Sequence, residues 1–99
     1  MKIDLHFLPV HFSEPVVLFE VRPAYPEEAR KDQKEGSVAM DILIDQSGSV
    51  RQVDFVEGPE VFKQGAMDAI RKFKFRPALV DGKSVAVRIR YLLKFELEF

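Results

Sequence analysis

The side chains with the widest chemical range lie near the start of the chain. His6, His11 and Glu14 carry imidazole and carboxylate groups of the kind that bind transition metals. Residues five apart point to opposite faces of a strand, and no third firm ligand lies nearby, so an extended segment would not bring the two histidines to one ion. Both histidines are also far in sequence from any serine on a nucleophile-type turn. We therefore predict neither a metal site nor a catalytic site.

A second candidate is the run RKFKFR, residues 71–76, in which four cations are interleaved with Phe73 and Phe75. Such a composition can hold phosphates while the aromatic rings stack on bases. The simpler interpretation is a helix C-terminus, where cations complement the helix dipole and Phe73 completes an apolar face. We favour the helix end and predict no nucleic-acid partner.

The third candidate concerns backbone chemistry. From Val85 to Phe99 almost every second residue is large and apolar, and only Leu92 breaks the alternation. One continuous strand of this length would span roughly 50 Å, more than so small a domain can pair internally. Arg88, Arg90 and Lys94 line its polar face, a pattern that serves either to protect a sheet edge from aggregation or to orient an acidic peptide. The sequence leaves both uses open.

Short elements must position these groups. The patterns predict an extended leader over residues 1–21, a short helix opened by Pro26 and ended near Gly36, a β-hairpin that turns at Ser47-Gly48, a helix opened by Pro59, and a final strand after an Asp81-Gly82 turn. One face of the hairpin collects Val38, Met40, Ile42 and Ile44, which are joined by Val50, Val53, Phe55 and Val56 on the return strand. The second helix has an apolar stripe of Phe62, Ala66, Ala69, Ile70 and Phe73.

Bulk composition sets the remaining bounds. A chain of 99 residues with 46% hydrophobic residues forms one domain with one core. A net charge of -1 gives no overall field for nucleic acid or an anionic membrane, and the absence of cysteine excludes disulfides and thiolate chemistry. The start of the chain is too interrupted by polar residues and proline for an anchor or a signal peptide. If the protein works outside the cytoplasm, a segment upstream of this sequence must direct it there, so we expect the chain to be a fragment.

Four segments follow one another in the chain: YP, EGSVAMDILIDQSGSVRQVDFVEG, VFKQGAMDAIRKFKFRPA and DGKSVAVRIRYLLKF. Together, and in this order, they resemble the C-terminal domain family of TonB, the periplasmic energy transducer of Gram-negative bacteria. The resemblance runs from about Arg22 to Phe95. It implies an α+β domain over residues 22–99, in which two helices pack on one face of a three-stranded antiparallel sheet, with the leader available as an added strand.

The resemblance also implies a function. The family binds the TonB box, a short extended segment of outer-membrane transporters, as a strand added beside its last strand. The resemblance assigns partner binding to two sets of residues. The last strand contributes Val87, Arg88, Ile89, Arg90, Tyr91, Leu92 and Leu93, and the motif that lies near the receptor plug in the family contributes Ala24, Tyr25 and Pro26. Such a domain is non-enzymatic, needs no cofactor, works in the periplasm, and is driven by an ExbB-ExbD motor through regions absent from this chain.

Two alternatives stay open at this stage. The domain is either part of an energy transducer or an interaction module within a larger envelope protein that transmits no force. The apolar segment VVLFEV, residues 16–21, offers a strand for a sheet edge, either within the chain or swapped into a homodimer. The edge of the last strand would then be blocked or shared.

Overall fold

The computed structural model describes residues 11–97, which form a mixed α+β domain with two helices and antiparallel sheets. The strands are β1 (Phe12–Ser13), β2 (Val16–Phe19), β3 (Gly36–Ile44), β4 (Val50–Glu57), β5 (Lys74–Arg76), β6 (Ala78–Val80), β7 (Lys83–Val85) and β8 (Val87–Phe95). The helices are α1 (Glu27–Lys31) and α2 (Glu60–Arg71). Within the described residues, neither helix is long and apolar enough to cross a membrane.

The central sheet has the order β4-β3-β8, and both pairings are antiparallel. β3 pairs with β8 along its whole length, from Gly36 opposite Phe95 to Ile44 opposite Val87. Successive side chains of a strand point to opposite faces, and the predicted inner row Val38, Met40, Ile42 and Ile44 is fully buried. The predicted hairpin is therefore confirmed. Val56 is the exception in its return strand, because it directly follows the inward-facing Phe55 and is exposed on the opposite face.

The helices meet the sheet in one core. Phe62, Ala66, Ala69 and Ile70 of α2 are buried in one cluster with the inner row of β3, which confirms the predicted apolar stripe. Ala29 of α1 belongs to the same cluster. Phe73 also belongs to this core, although α2 ends before it, at Arg71.

The predicted ends of the first helix were inexact. Pro26 is the N-cap residue of α1 and has an extended backbone, with φ -62° and ψ 136°. Glu27 and Glu28, in the first turn of the helix, complement its dipole. The helix ends at Lys31, and Gln33, with φ 54°, takes the left-handed conformation expected at the exit. Gly36 instead begins β3, where a Cβ would lie 3.0 Å from Pro59 Cγ, a tight contact that the Pro59 ring would have to relieve.

The final strand is divided, which corrects the prediction of one continuous ribbon from Val85 onward. β7 pairs with β6 around Asp81-Gly82, and both turn residues have positive φ, 48° and 80°, as a two-residue hairpin turn requires. β8 begins after Ala86 and pairs with β3 in a different sheet. β7 and β8 are thus separate strands with partners in separate sheets. Glu98 and Phe99 lie outside the described residues.

The leader forms strands within the chain from residue 12 onward. β1 pairs with β6, and β2 pairs with β5, in two small sheets separate from the central one. The segment VVLF thus has a partner strand within its own chain, although that partner is β5 and not the edge of the central sheet. The leader strands therefore add to the fold without covering β8.

Asp45 organises the turn between β3 and β4. Its Oδ1 atom accepts hydrogen bonds from the Ser47 and Ser49 backbone N–H groups, each at 2.9 Å, and from the Ser47 hydroxyl at 2.7 Å. Its Oδ2 atom is paired with the Arg51 guanidinium. The Ser47 hydroxyl, with the Ser49 amide and Arg51, lowers the pKa of Asp45 far below its ordinary value of 3.8.

The lowered pKa predicts an acid-dependent loss of stability. Because the folded state favours the ionised carboxylate, Asp45 stabilises the fold fully above its unfolded pKa of 3.8, and this contribution is lost as the pH falls toward the folded pKa. We expect Asp45→Asn to lower the urea midpoint at neutral pH, and the difference from the parent to shrink progressively once the pH falls below about 4. A difference that stays constant over this range would show that the carboxylate charge is not what stabilises the turn.

Candidate functional site

β8 is an edge strand. It pairs with β3 on one side, and no strand of residues 11–97 pairs with its other side. In an antiparallel pair, the backbone N–H and C=O groups of alternate residues point toward and away from the neighbour. The outer edge of β8 therefore presents a row of donors and acceptors that are free to pair with an added strand.

The inner face of β8 is anchored in the core. Leu93 and Phe95 are buried, while Val87, Ile89 and Tyr91 are half-buried and pack against the core cluster. The Tyr91 ring lies edge-on to Phe73, with 5.6 Å between centroids. Partial burial raises the pKa of Tyr91, and the nearby negative charge of Glu20 raises it further. The Tyr91 ring therefore packs against the core.

The outer face of β8 carries arginines that already have partners. Arg90 donates to both carboxylate oxygens of Asp41, from Nε at 2.9 Å and from Nη2 at 3.2 Å. This contact lowers the pKa of Asp41. Arg88 donates to Gln52 Oε1 at 3.2 Å and lies 3.8 Å from the Asp54 carboxylate. An acidic peptide would have to compete with these cross-strand partners, so the arginines act first to hold the edge in register.

Leu92 is the apolar exception on this face. It is 56% exposed and lines a shallow groove with Ala39 and Pro59. A side chain from a strand added to β8 would meet Leu92 on this face of the sheet, where most of the neighbouring side chains are polar. Leu92 is therefore the residue of β8 best placed for an apolar contact with such a strand.

Tyr25 packs beside the C-terminal end of β8. Its ring is edge-on to Phe95, with 5.8 Å between centroids, and to Phe62, with 5.5 Å. Its hydroxyl donates to the Lys34 carbonyl oxygen, and the Arg30 guanidinium lies 5.3 Å from the ring centroid. Partial burial raises the pKa of Tyr25, and the charge of Glu35 adds to the effect. Tyr25 thus ties the start of α1 to the end of β8.

The neighbours of Tyr25 have different roles. Pro26 is the N-cap of α1. Ala24 is exposed, but its carbonyl oxygen lies against α2, where a Cβ on Gly65 would be 3.0 Å away. The structure therefore brings the Ala24–Pro26 motif and β8 together at Phe95, although they are about seventy residues apart in sequence.

The segment just before this motif was missed by the sequence reasoning. Val21 packs against the core, while Arg22 and Pro23 line a cleft with Lys94 and Phe95. Together with the influence of Glu20 on Tyr91, these contacts place residues 20–23 beside the second half of β8, without strand pairing to it. The sequence carried a signal, because Val21, Pro23 and Tyr25 occupy every second position directly into the motif, and all three are half-buried in the structure.

The other candidates for side-chain chemistry are the run RKFKFR and the histidines near the start of the chain. Phe73 and Phe75 are buried, so RKFKFR offers no exposed ring on which a base could stack. His6 lies outside the described residues. The His11 backbone N–H donates to the Asp81 carboxylate, and within residues 11–97 no cluster of three or more His, Cys, Asp or Glu side chains is arranged to hold a metal ion.

Comparison with known proteins identifies the family. The family model described as "Gram-negative bacterial TonB protein C-terminal" matches residues 21–97. The chain belongs to this TonB C-terminal domain family. The match begins at Val21, so it includes most of the segment beside β8, the Ala24–Pro26 motif and the whole central sheet.

Individual TonB relatives agree with this assignment. The chain is 38% identical over 93 residues to Protein TonB of Vibrio cholerae serotype O1, which covers 91% of this chain and 38% of the relative. It is 32% identical over 77 residues to Protein TonB of Xanthomonas campestris pv. campestris, which covers 76% of this chain and 34% of that protein. The chain therefore spans little more than a third of the length of these relatives.

Solved structures show the same fold. The solution structure of the TonB C-terminal domain of Pseudomonas aeruginosa has a TM-score of 0.71 at 26% identity, with 88% of this chain and 90% of that chain covered. The TonB2 protein from Vibrio anguillarum gives a TM-score of 0.64 at 29% identity, with 87% and 84% covered. The predicted α+β class and the resemblance to the TonB family are confirmed.

Proposed function

We propose that this domain is the receptor-binding part of a TonB-type energy transducer, and that it docks the TonB box of outer-membrane transporters by strand addition to β8. The observation that carries this proposal is the outer edge of β8, since β3 is the only strand paired with β8 among the described residues. Membership of the TonB C-terminal domain family supports the choice of partner. The domain is non-enzymatic in this proposal, and its role is to bind and to transmit force.

The geometry of the edge sets the expected strength of docking. An added strand over Val87–Leu93 forms about four or five backbone hydrogen bonds, each with a net contribution of about 0.5 to 1.5 kcal/mol. The cost of ordering the peptide is subtracted, so the dissociation constant is expected near the micromolar range. Docking of this strength is reversible, as a transducer that releases its receptor requires.

The two ends of β8 provide different neighbours for the peptide. At the start, the added strand lies beside the Arg88 and Arg90 pairs, and along the second half it meets residues 20–23 and then the Ala24–Pro26 motif. The peptide thus pairs its backbone with the edge of β8 and contacts the leader segment at the end of β8. We assign Ala24, Tyr25 and Pro26 to the contact nearest the receptor.

The wider setting follows from the family. In this proposal the domain works in the periplasm, and other regions of the transducer contact ExbB-ExbD and the inner membrane. The relatives are named Protein TonB and are almost three times as long as the matched region. Force reaches the domain through those parts, while β8 transmits it to the transporter.

A titration of the ¹⁵N-labelled chain with a synthetic TonB-box-like peptide tests the proposal. We expect amide shifts concentrated at Val87–Leu93, with smaller shifts at residues 20–26. A scrambled peptide of the same composition is the control, because it retains the charge but not the order of side chains. Shifts confined to other elements, or no shifts with the chain shown to be folded, would contradict docking at β8.

The second candidate function is an interaction module in a larger envelope protein. The exposed apolar side chains of β2 favour it, because they form a surface that strand addition to β8 does not use. Gene context separates the two candidates. An upstream transmembrane helix with a Pro-rich linker supports the transducer, whereas a neighbouring barrel or peptidase domain supports the module.

A further inference from the structure

Among the described residues, one cation on the outer face of β8 lacks a partner. β8 carries three cations on this face, and Arg88 and Arg90 are paired with acids of the neighbouring strands. Lys94 is exposed, and within residues 11–97 its ammonium group forms no hydrogen bond or ion pair. Its neighbour across the sheet is Ser37 of β3, which carries no charge. Lys94 is therefore the cation of β8 that can bind a ligand without the loss of an internal contact.

The surroundings of Lys94 are positively charged. Lys94 lines a cleft at the end of β8 whose other charged side chains are Arg22, Arg30 and Glu96, so three cations accompany one acid. Glu35 lies close by, but its carboxylate already accepts a backbone N–H at 2.8 Å. A ligand group that carries negative charge suits this end of the strand better than a neutral or positive one.

Leu92 lies two residues before Lys94 and points to the same face of the sheet. Its exposed side chain borders a groove with Ala39 and Pro59. A strand added to β8 also has alternate side chains on this face, so it places one side chain beside Leu92 and the next beside Lys94. The two residues together offer an apolar contact and a positive charge at a fixed spacing of two positions.

We propose that Leu92 and Lys94 determine which peptides dock at β8, by selecting an apolar side chain beside Leu92 and a carboxylate side chain beside Lys94. The occupant is therefore an extended peptide with an acidic and an apolar residue two positions apart. This inference rests on the proposed docking at β8 and adds a side-chain preference to it. Backbone pairing accepts almost any extended sequence, so a preference must come from side-chain contacts of this kind.

The arginines of β8 are less suited to this role. Arg90 donates to both carboxylate oxygens of Asp41, so a peptide carboxylate can bind it only by displacing or sharing that acid. Arg88 lies 3.8 Å from the Asp54 carboxylate. At both positions a peptide acid would approach an acid that is already present, whereas the cross-strand neighbour of Lys94 is neutral. The acidic preference therefore belongs to the end of β8 and not to its start.

The order of the two peptide residues depends on the direction of the added strand. β8 runs from Leu92 to Lys94, so an antiparallel peptide reaches Lys94 first and has its acidic residue before its apolar one. A parallel peptide has the reverse order. In either direction, the wrong order satisfies only one of the two contacts at a time, because a register that brings the acid to Lys94 moves the apolar residue away from Leu92.

Titrations of the ¹⁵N-labelled chain with three threonine peptides, blocked at both termini, test the proposal. TTDTLTT and TTLTDTT carry the two residues in opposite orders, and TTTTTTT measures backbone pairing alone. Each side-chain contact changes affinity by up to about fivefold, so we expect one mixed peptide to bind about tenfold more tightly than the all-threonine peptide. The preferred order identifies the direction of the added strand, and amide shifts at Val87–Leu93 show where each peptide binds.

Charge reversal at Lys94 separates the acidic contact from general electrostatics. Lys94→Glu should bind the preferred peptide about fivefold more weakly, and replacement of the peptide's aspartate by lysine should restore the affinity. Lys83→Glu is the matched control, because Lys83 is an exposed lysine on β7 and its variant has the same net charge. This control should keep the parent's preference. Circular dichroism establishes that both variants fold.

Two results would overturn this inference and leave docking at β8 standing. One is equal affinity of the three peptides with amide shifts at Val87–Leu93, and the other is a Lys94→Glu variant that still prefers the aspartate peptide. If neither these peptides nor a TonB-box-like peptide shifts the amides of β8, the docking proposal fails, and this inference fails with it.

Discussion

A single proline in β8 is expected to abolish peptide binding without unfolding the domain. Ile89 and Arg90 are consecutive residues of β8, opposite Ile42 and Asp41 of β3. One of them therefore points its backbone N–H toward β3 and the other points it outward. Proline at the inward position removes a ladder hydrogen bond to β3 and destabilises the sheet, whereas proline at the outward position keeps the ladder.

We therefore expect one of Ile89→Pro and Arg90→Pro to fold normally and to bind a TonB-box-like peptide about a hundredfold more weakly. The loss combines a missing backbone donor with a ring that keeps the added strand away from the edge. Thermal unfolding identifies the folded variant, and calorimetric titration measures its binding.

The opposite edge of the central sheet provides the control for this experiment. Val53 and Asp54 of β4 lie opposite the same β3 residues, Ile42 and Asp41, on the other side of the sheet. One of Val53→Pro and Asp54→Pro should also fold, and it should bind the peptide as the parent does. If the folded β8 variant keeps its affinity, or if the folded β4 variant loses it, the peptide does not add to β8.

Replacement of Gly48 by alanine is expected to be the most damaging small substitution in the chain. Gly48 has φ 85°, and a Cβ there would lie 1.8 Å from the Phe75 carbonyl oxygen. The Phe75 N–H donates to the Gly48 carbonyl at 2.9 Å, so the turn and β5 are in direct backbone contact. The methyl group must push them apart and break this bond, in addition to the cost of a positive φ.

We expect Gly48→Ala to lower the free energy of unfolding by at least about 3 kcal/mol, which lowers Tm by about 12 °C or more in a domain of this size. Gly82→Ala is the matched control. Gly82 has a similar φ of 80°, but a Cβ there would meet no atom within 4 Å. Its variant should lose only about 1 to 2 kcal/mol. Equal losses in the two variants would show that backbone conformation, and not the contact with Phe75, makes Gly48 necessary.

Much of the candidate site was accessible to sequence reasoning. The residues assigned to peptide docking, Val87–Leu93, all lie in β8, and the Ala24–Pro26 motif packs at its end. Whether they contact a receptor stays a prediction. The resemblance supplied these residues as two separate segments, and only the fold shows that Tyr25 and Phe95 bring them together.

The arginines of β8 show the limit of a pattern read along one strand. Alternation placed Arg88 and Arg90 on the polar face, but it carried no information about the strand that lies beside them. In the fold, Asp41 on β3 and Asp54 on β4 supply the opposite charges. Their availability to a peptide is thus decided by cross-strand neighbours that are distant in sequence.

The sequence by itself determined the local features of this protein. Alternating apolar residues defined the buried face of β3, helical spacing defined the buried stripe of α2, and Asp81-Gly82 defined a tight turn, because each depends on residues close together in the chain. Only the tertiary structure decided which strands pair. Period-two alternation specifies which face a residue occupies but not which neighbour its backbone meets. Three features follow from those long-range choices: the division of the last strand at Ala86, the pairing of the leader with β5 and β6, and an outer edge of β8 that no other strand of residues 11–97 pairs with.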